Sequence, residues 1–159
     1  MAETKYGKYI RTRPVTAPSS GRRLAFHSES FNEEMRPAVR PGSGVYLNGD
    51  AFPGCPIYFS IQRTSEAPAK QPFIYAHKHD EVDEIILFVA AGPDAELGTN
   101  VTIEMGEEGE KHTFHETTVV YAPKGVTHGP IWYSSPFKEG KEFYLMAFLM
   151  QPYYPVEED

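Results

Sequence analysis

Apolar side chains recur at every second position along most of this chain, and almost nowhere with the 3.6-residue repeat of a helix. The runs Ile57–Arg63, Phe73–His77, Glu84–Ala90, Val101–Met105, Thr117–Tyr121, Gly129–Tyr133 and Glu142–Met150 are rich in β-branched and aromatic residues and read as strands. Turn signals stand between them: Pro41-Gly42, Asn48-Gly49, Pro53-Gly54, Gly92-Pro93, Gly98–Asn100, Glu108-Gly109, Lys124-Gly125 and Glu139-Gly140. Many short strands at this spacing predict an all-β sandwich or barrel. Helix is confined to two possible single turns, Asp94–Leu97 and Glu29–Met35.

With 159 residues the chain suits one domain, and no internal repeat divides it. Three parts are expected. Residues 1–44 form an N-terminal arm, with Lys5–Arg13 a possible edge strand and Pro14–Arg23 a linker. Residues 45–151 form the barrel, and residues 152–159 an acidic tail. Charge follows this division. Residues 1–40 carry 8 Lys and Arg against 4 Asp and Glu, a net of +4, whereas the remainder carries 7 against 18, a net of −11. An acidic body argues against nucleic acid, which binds through phosphate neutralisation. The basic arm suits an acidic surface, its own or a sister subunit's, so a homodimer is expected. No apolar run approaches the roughly 18 residues of a membrane helix, and Met1–Ile10 lacks a signal-peptide core. A single cysteine, Cys55, excludes an internal disulfide and a cysteine-built zinc site. A reducing, cytoplasmic setting follows as the expectation.

Two histidine patterns carry the chemistry. The first is His77-Lys-His79-Asp-Glu-Val-Asp-Glu84, running into an apolar strand. Side chains two apart on an extended chain share a face, so His77 and His79 can hold one ion. Glu84 has the opposite parity, but the polar stretch Asp80–Asp83 can turn the chain and send the carboxylate to the same interior. Glu81 and Asp83 are nearby rivals. Glu84 is preferred because it abuts Ile85-Ile86-Leu87-Phe88, where a buried carboxylate needs a partner. The second pattern is Pro123-Lys-Gly125-Val-Thr-His128, a turn that delivers a histidine to the next strand. Three imidazoles and one carboxylate suit one divalent transition metal (iron, manganese, zinc, nickel or copper) and not calcium or magnesium. A six-coordinate ion held by four residues keeps two positions open for water, dioxygen or a small-molecule substrate.

These two patterns, in this order, resemble the two motifs of the cupins, a superfamily of small metal-binding β-barrels. The first motif is matched by His77, His79, Glu84 and Gly92, the glycine one place late; the second by Pro123, Gly125 and His128, with Trp132 where many members have Asn. Gln71 and Thr117 stand near the glycines that usually open the motifs. The resemblance spans roughly residues 55–150. It implies a jelly-roll, or double-stranded β-helix, barrel with the metal held by His77, His79, Glu84 and His128. It leaves the reaction open among dioxygenases, isomerases, decarboxylases, lyases and non-catalytic binding modules.

Parity nominates further residues around the ion. Tyr75 shares a face with His77, and Trp132 shares one with His128, where an indole narrows the cavity. Gln62 or Arg63 reaches the pocket from another strand. The last strand points inward through either Tyr144, Met146 and Phe148 or Phe143, Leu145 and Leu149. An aromatic-lined cavity for a small organic molecule is expected. The sequence secures no general base; Tyr75 and Lys78 are the candidates, with Lys78 expected to face outward. His27, His112, His115 and Cys55 read as surface or packing residues.

Overall fold

The structure is a computed structural model. It describes residues 44–47, as backbone, and residues 49, 52–66, 72–134 and 136–152. The expectations for the arm, for Glu29–Met35, for His27 and for most of the acidic tail lie outside these residues.

Among the described residues, eight strands make two antiparallel sheets. β1 (Gly44–Leu47), β2 (Tyr58–Thr64), β8 (Phe143–Leu149), β3 (Glu84–Ala90) and β6 (Thr118–Ala122) lie in the order β1-β2-β8-β3-β6. β5 (Glu110–Glu116), β4 (Glu96–Met105) and β7 (His128–Tyr133) form the second sheet, in the order β5-β4-β7. The two sheets pack around one core, with Ile86, Phe88 and Phe143 from the first meeting Leu97, Val101, Ile103, Ile131 and Tyr133 from the second. Aromatic rings lock its centre: Tyr133 meets Phe143 edge to face at 5.3 Å and stacks on Phe73 at 4.8 Å.

The alternation settles which side of each strand is inside. On β8 the buried set is Phe143, Leu145, Ala147 and Leu149, the second of the two alternatives. On β2 it is Tyr58, Ser60, Gln62 and Thr64. Arg63 therefore faces outward, where its guanidinium is bound by Glu142. The outer side of the larger sheet is also apolar. Phe59 stacks on Phe148 at 4.3 Å, and Ile85, Val119 and Tyr121 are exposed. For that reason Glu84–Ala90 shows a continuous apolar run rather than a clean alternation.

Three local expectations are corrected, and one strand is added. Phe73–His77 is not a strand of either sheet; it touches β7 through two isolated bridges, Ile74 to Ile131 and His77 to His128. Gly98–Asn100 does not reverse the chain. It lies within β4, where Gly98 at φ +80° accompanies a break in the β4–β5 register between Glu96 and Val101. Asp94–Leu97 is not a helical turn: Asp94 Oδ1 accepts the Glu96 N–H and β4 begins at once. β5 was not legible at all, because every residue in it except Phe114 is exposed. An edge strand with a single half-buried residue carries no period-two signature. Among the described residues no helix is long and apolar enough to cross a membrane.

Candidate metal centre

His77 and His79 stand on the short extended segment that runs beside β7. The main chain fixes both. His77 and His128 exchange backbone hydrogen bonds of 3.0 and 2.9 Å, and the His79 carbonyl accepts the Gly125 N–H at 2.7 Å. The polar stretch after them turns the chain as its composition suggests. Glu84 then opens β3 on the inner side, in line with Ile86 and Phe88. Its rivals stay outside. Glu81 is exposed. Asp83 accepts the Lys124 N–H at 2.8 Å and the Tyr121 hydroxyl at 2.7 Å, tying the first motif to the turn of the second. That role of Asp83 was missed; the signal was its place in an acidic run facing a Pro-x-Gly turn. In the turn itself the Val126 N–H returns to the Pro123 carbonyl at 3.0 Å, and Gly125 takes φ +77°. The next strand then starts at His128.

These elements bring His77, His79, Glu84 and His128 together, with one nitrogen or oxygen from each inside a 4.8 Å span. Glu84 Oε2 is the hub. It lies 2.9 Å from His128 Nε2, 3.1 Å from His79 Nε2 and 3.9 Å from His77 Nε2. The far ring nitrogens are anchored. His77 Nδ1 donates to the Tyr75 carbonyl at 2.9 Å and His128 Nδ1 to the Val126 carbonyl at 3.0 Å. A carbonyl can only accept, so both Nδ1 atoms carry hydrogen. When neutral, each ring would turn a bare Nε2 lone pair toward the common centre.

Burial shapes the charge state. Desolvation lowers the His77 pKa to about 4, aided by the neighbouring His128. Burial pushes Glu84 upward, yet hydrogen bonds from His128 and His79 outweigh it and hold the carboxyl at about 2. His128 loses affinity for its proton through burial and regains more from Glu84, so its pKa is raised. The contact at 2.9 Å needs this positive charge, since a bare Nε2 and a carboxylate oxygen are both acceptors. A divalent cation would meet the same need.

The residues fit such an ion. Two donors about 2.1 Å from one ion and at right angles to it lie about 3 Å apart, and opposite ones about 4 Å. The separations of 2.9, 3.1 and 3.9 Å fall in that range. His79, Glu84 and His128 side chains are 4%, 4% and 1% exposed and His77 14%, so the donors are held away from bulk water.

The chain has a cupin fold. Its two motifs occur in the cupin order, on facing parts of a two-sheet barrel, and their four polar side chains meet inside it. No family model and no curated protein matches the sequence. Similar solved structures include KdgF from Halomonas sp., 18% identical, covering 60% of this chain and 69% of that one at a TM-score of 0.39. A cupin-2 domain protein from Shewanella frigidimarina is 19% identical, with 58% and 69% covered and a TM-score of 0.34. A predicted oxalate decarboxylase from Thermotoga maritima is 14% identical, with 59% and 65% covered, slightly under two thirds of its length, and a TM-score of 0.39.

The other nominated residues divide. Gln62 is buried, and its side chain lines a cavity inside the cupin barrel beside His77 and Glu84. Ser60, Ile86, Ile131, Leu145 and Ala147 line it too. The expected aromatic lining is thus replaced by aliphatic carbon, because the inward rings of Phe88, Tyr133 and Phe143 gather in the core cluster instead. Trp132 is 39% exposed and does not narrow the cavity. Parity from His128 fails at Gly129, whose φ is +83°, and the β4–β7 register shifts between Ile103 and Met105. Ile103 pairs with Ile131 and Met105 with His128, so β7 carries one extra residue and Ile131 takes the inward place. Tyr75 is half-buried and acts on His77 through its backbone carbonyl. Lys78 faces outward as expected, near Asp80, and His112 and His115 lie exposed on β5. Cys55 is a half-buried thiol directed at the Ile57 carbonyl.

Proposed function

We propose that this cupin binds one divalent transition metal through His77, His79, Glu84 and His128, and uses it as an enzyme on a small organic molecule with an oxygen donor. Oxygenase-type chemistry is the first choice; isomerase or lyase chemistry is the next. The supporting observation is the convergence of three Nε2 atoms on the buried Glu84 carboxylate, two of them with their Nδ1 hydrogens already committed to carbonyls. Such a mixed nitrogen and oxygen shell suits borderline ions. The bound ion would supply a Lewis acid with free positions for water and substrate. The chain's own part is to orient the imidazoles, to set one negative charge against the cation and to keep bulk water out.

Elemental analysis of purified protein beside a His77→Ala/His79→Ala variant tests this reading. The wild type should hold about one equivalent of metal and the variant almost none; equal content in both removes the assignment. Oxygen uptake and substrate turnover by the loaded protein then test the enzyme. The seclusion of the cluster favours a second reading, a cupin that binds a metal or metabolite without turnover. A ligand-dependent rise in Tm with no consumption of oxygen or substrate would select it.

A further inference from the structure

The outer face of the larger sheet carries two unbroken apolar rows. Cross-strand register sets Phe59 beside Phe148, Phe148 beside Ile85, and Ile85 beside Tyr121. One row further along, Ile61, Met146, Leu87 and Val119 stand side by side in the same way. β1 continues both rows in register, with Leu47 opposite Phe59 and Val45 opposite Ile61. Arg63 is the one charged residue at an outward position of β2, β8, β3 and β6, and Glu142 neutralises it. The cover over this face is uneven. Phe59, Ile61, Met146 and Phe148 are half-buried, whereas Ile85 is 40%, Tyr121 57% and Val119 63% exposed. The bare part lies over β3 and β6, at the sheet's edge. Edge strands are commonly guarded by a lysine, a proline or a bulge. β6 reads Thr118-Val-Val-Tyr-Ala122 and pairs with β3 without a register shift, so it has none of these. The Tyr121 hydroxyl is held by Asp83 at 2.7 Å, which anchors the exposed ring. Anchored aromatics of this kind supply the centres of protein contacts.

We propose that this face, centred on Ile85, Leu87, Val119 and Tyr121, is where two copies of the chain pack against each other about a two-fold axis. Strands ~4.8 Å apart and rows ~6.8 Å apart make the five-strand face, three residues deep, roughly 24 Å by 20 Å, or about 480 Å² before the relief of the side chains is counted. That approaches the roughly 600 Å² per partner at the lower limit of specific interfaces. A two-fold interface sets one surface against itself. An apolar surface with its single charge neutralised allows this without like charges meeting. The chain's own N-terminal segment is the rival occupant. Its net charge of +4 over residues 1–40 asks for acidic neighbours. The rim carboxylates Asp83 and Glu142 are already engaged, by Tyr121 and Lys124 and by Arg63. The homodimer expected from the basic arm therefore forms through the barrel.

Sedimentation equilibrium of the full-length protein should show a dimer. Val119→Lys, which sets a like charge on both copies, should raise the dimer dissociation constant at least about tenfold. Thr113→Lys, also exposed but on the other sheet, should leave it unchanged. In a sample mixed from methyl-labelled and unlabelled copies, isotope-filtered NOEs should join the Leu87 and Val119 methyls to the unlabelled partner. Leu97 and Val101, buried in the core, should show none. These contacts are read on the wild type, so they decide the matter should Val119→Lys not fold. A dimer that lacks them, or that Val119→Lys leaves intact, would overturn the proposal. A wild-type monomer would overturn it too, and a soluble gadolinium chelate would then name the true occupant. Leu87 and Val119 methyls shielded from the chelate would assign the face to the chain's own segment; methyls open to it would assign the face to a different protein.

Discussion

His77 and His128, 51 positions apart, face each other as an isolated antiparallel pair in which each backbone N–H donates to the other's carbonyl, at 3.0 and 2.9 Å. The two cupin motifs are thus joined at the main chain before any side chain meets. The neighbouring Gly129 makes this approach possible. A Cβ there would lie 2.8 Å from the Tyr75 carbonyl oxygen, and its φ is +83°. Gly129→Ala should therefore cost about 1–3 kcal/mol. It should also lower metal affinity, because Tyr75 carries the oxygen that orients His77. Urea titration of the metal-free protein and competition with a chelator measure the two effects; an unchanged urea midpoint would refute the first.

Asp83 is expected to act on the site without touching it. By accepting the Lys124 N–H and the Tyr121 hydroxyl it fixes the turn that leads to His128. Groups that orient ligands this way typically matter 10- to 100-fold in affinity. Asp83→Ala should weaken metal binding by about tenfold, and Asp83→Asn, which keeps one acceptor oxygen, by less. Calorimetric titration with zinc reads the difference. Equal affinity in all three proteins would show that the turn holds by itself.

Acid should destabilise the metal-free protein in two overlapping steps. The unfolded chain binds a proton at His77 near 6.5, the folded chain only at about 4, so stability falls as pH drops through that window. Glu84, held at about 2 against an ordinary 4.5, adds stability that is complete above 4.5 and vanishes as pH falls toward 2. His128 has the opposite sign, its raised pKa contributing most below 6.5 and fading at higher pH. Denaturation midpoints at pH 7, 5 and 3 should decline. His77→Ala should flatten the decline between 6.5 and 4, and a slope identical to wild type would contradict the assignment.

Phe88 is fully buried and touches Phe114 at 5.1 Å and Phe143 at 6.0 Å between ring centres. Its truncation should create a cavity between the sheets. Phe88→Ala should cost about 3–5 kcal/mol, whereas Phe59→Ala on the half-buried outer face should cost clearly less. Chemical denaturation compares them, and equal losses would argue that the outer face is packed like the core.

Local chemistry alone determined much of this protein. Alternating apolar runs split by glycine and proline turns announced an all-β barrel, since a strand's period of two is imposed by backbone geometry. His77–Glu84 and Pro123–His128 named the four polar residues, because metal chemistry needs particular donor types at close spacing. Other features were decided by the tertiary structure. Asp80–Asp83 carries charge enough for several roles, and only the folded loop sends Glu84 inward and leaves Asp83 as an outer clamp. Trp132 and Ile131 exchange places because one extra residue at Gly129 shifts the register of β7, and nothing in the run of residue types marks where a bulge falls. β5 stayed invisible because this edge strand turns only Phe114 toward the core, and one half-buried residue writes no repeating pattern into a sequence. The inner cavity, too, depends on how side chains from five separate parts of the chain meet, a fact of packing that no single segment contains.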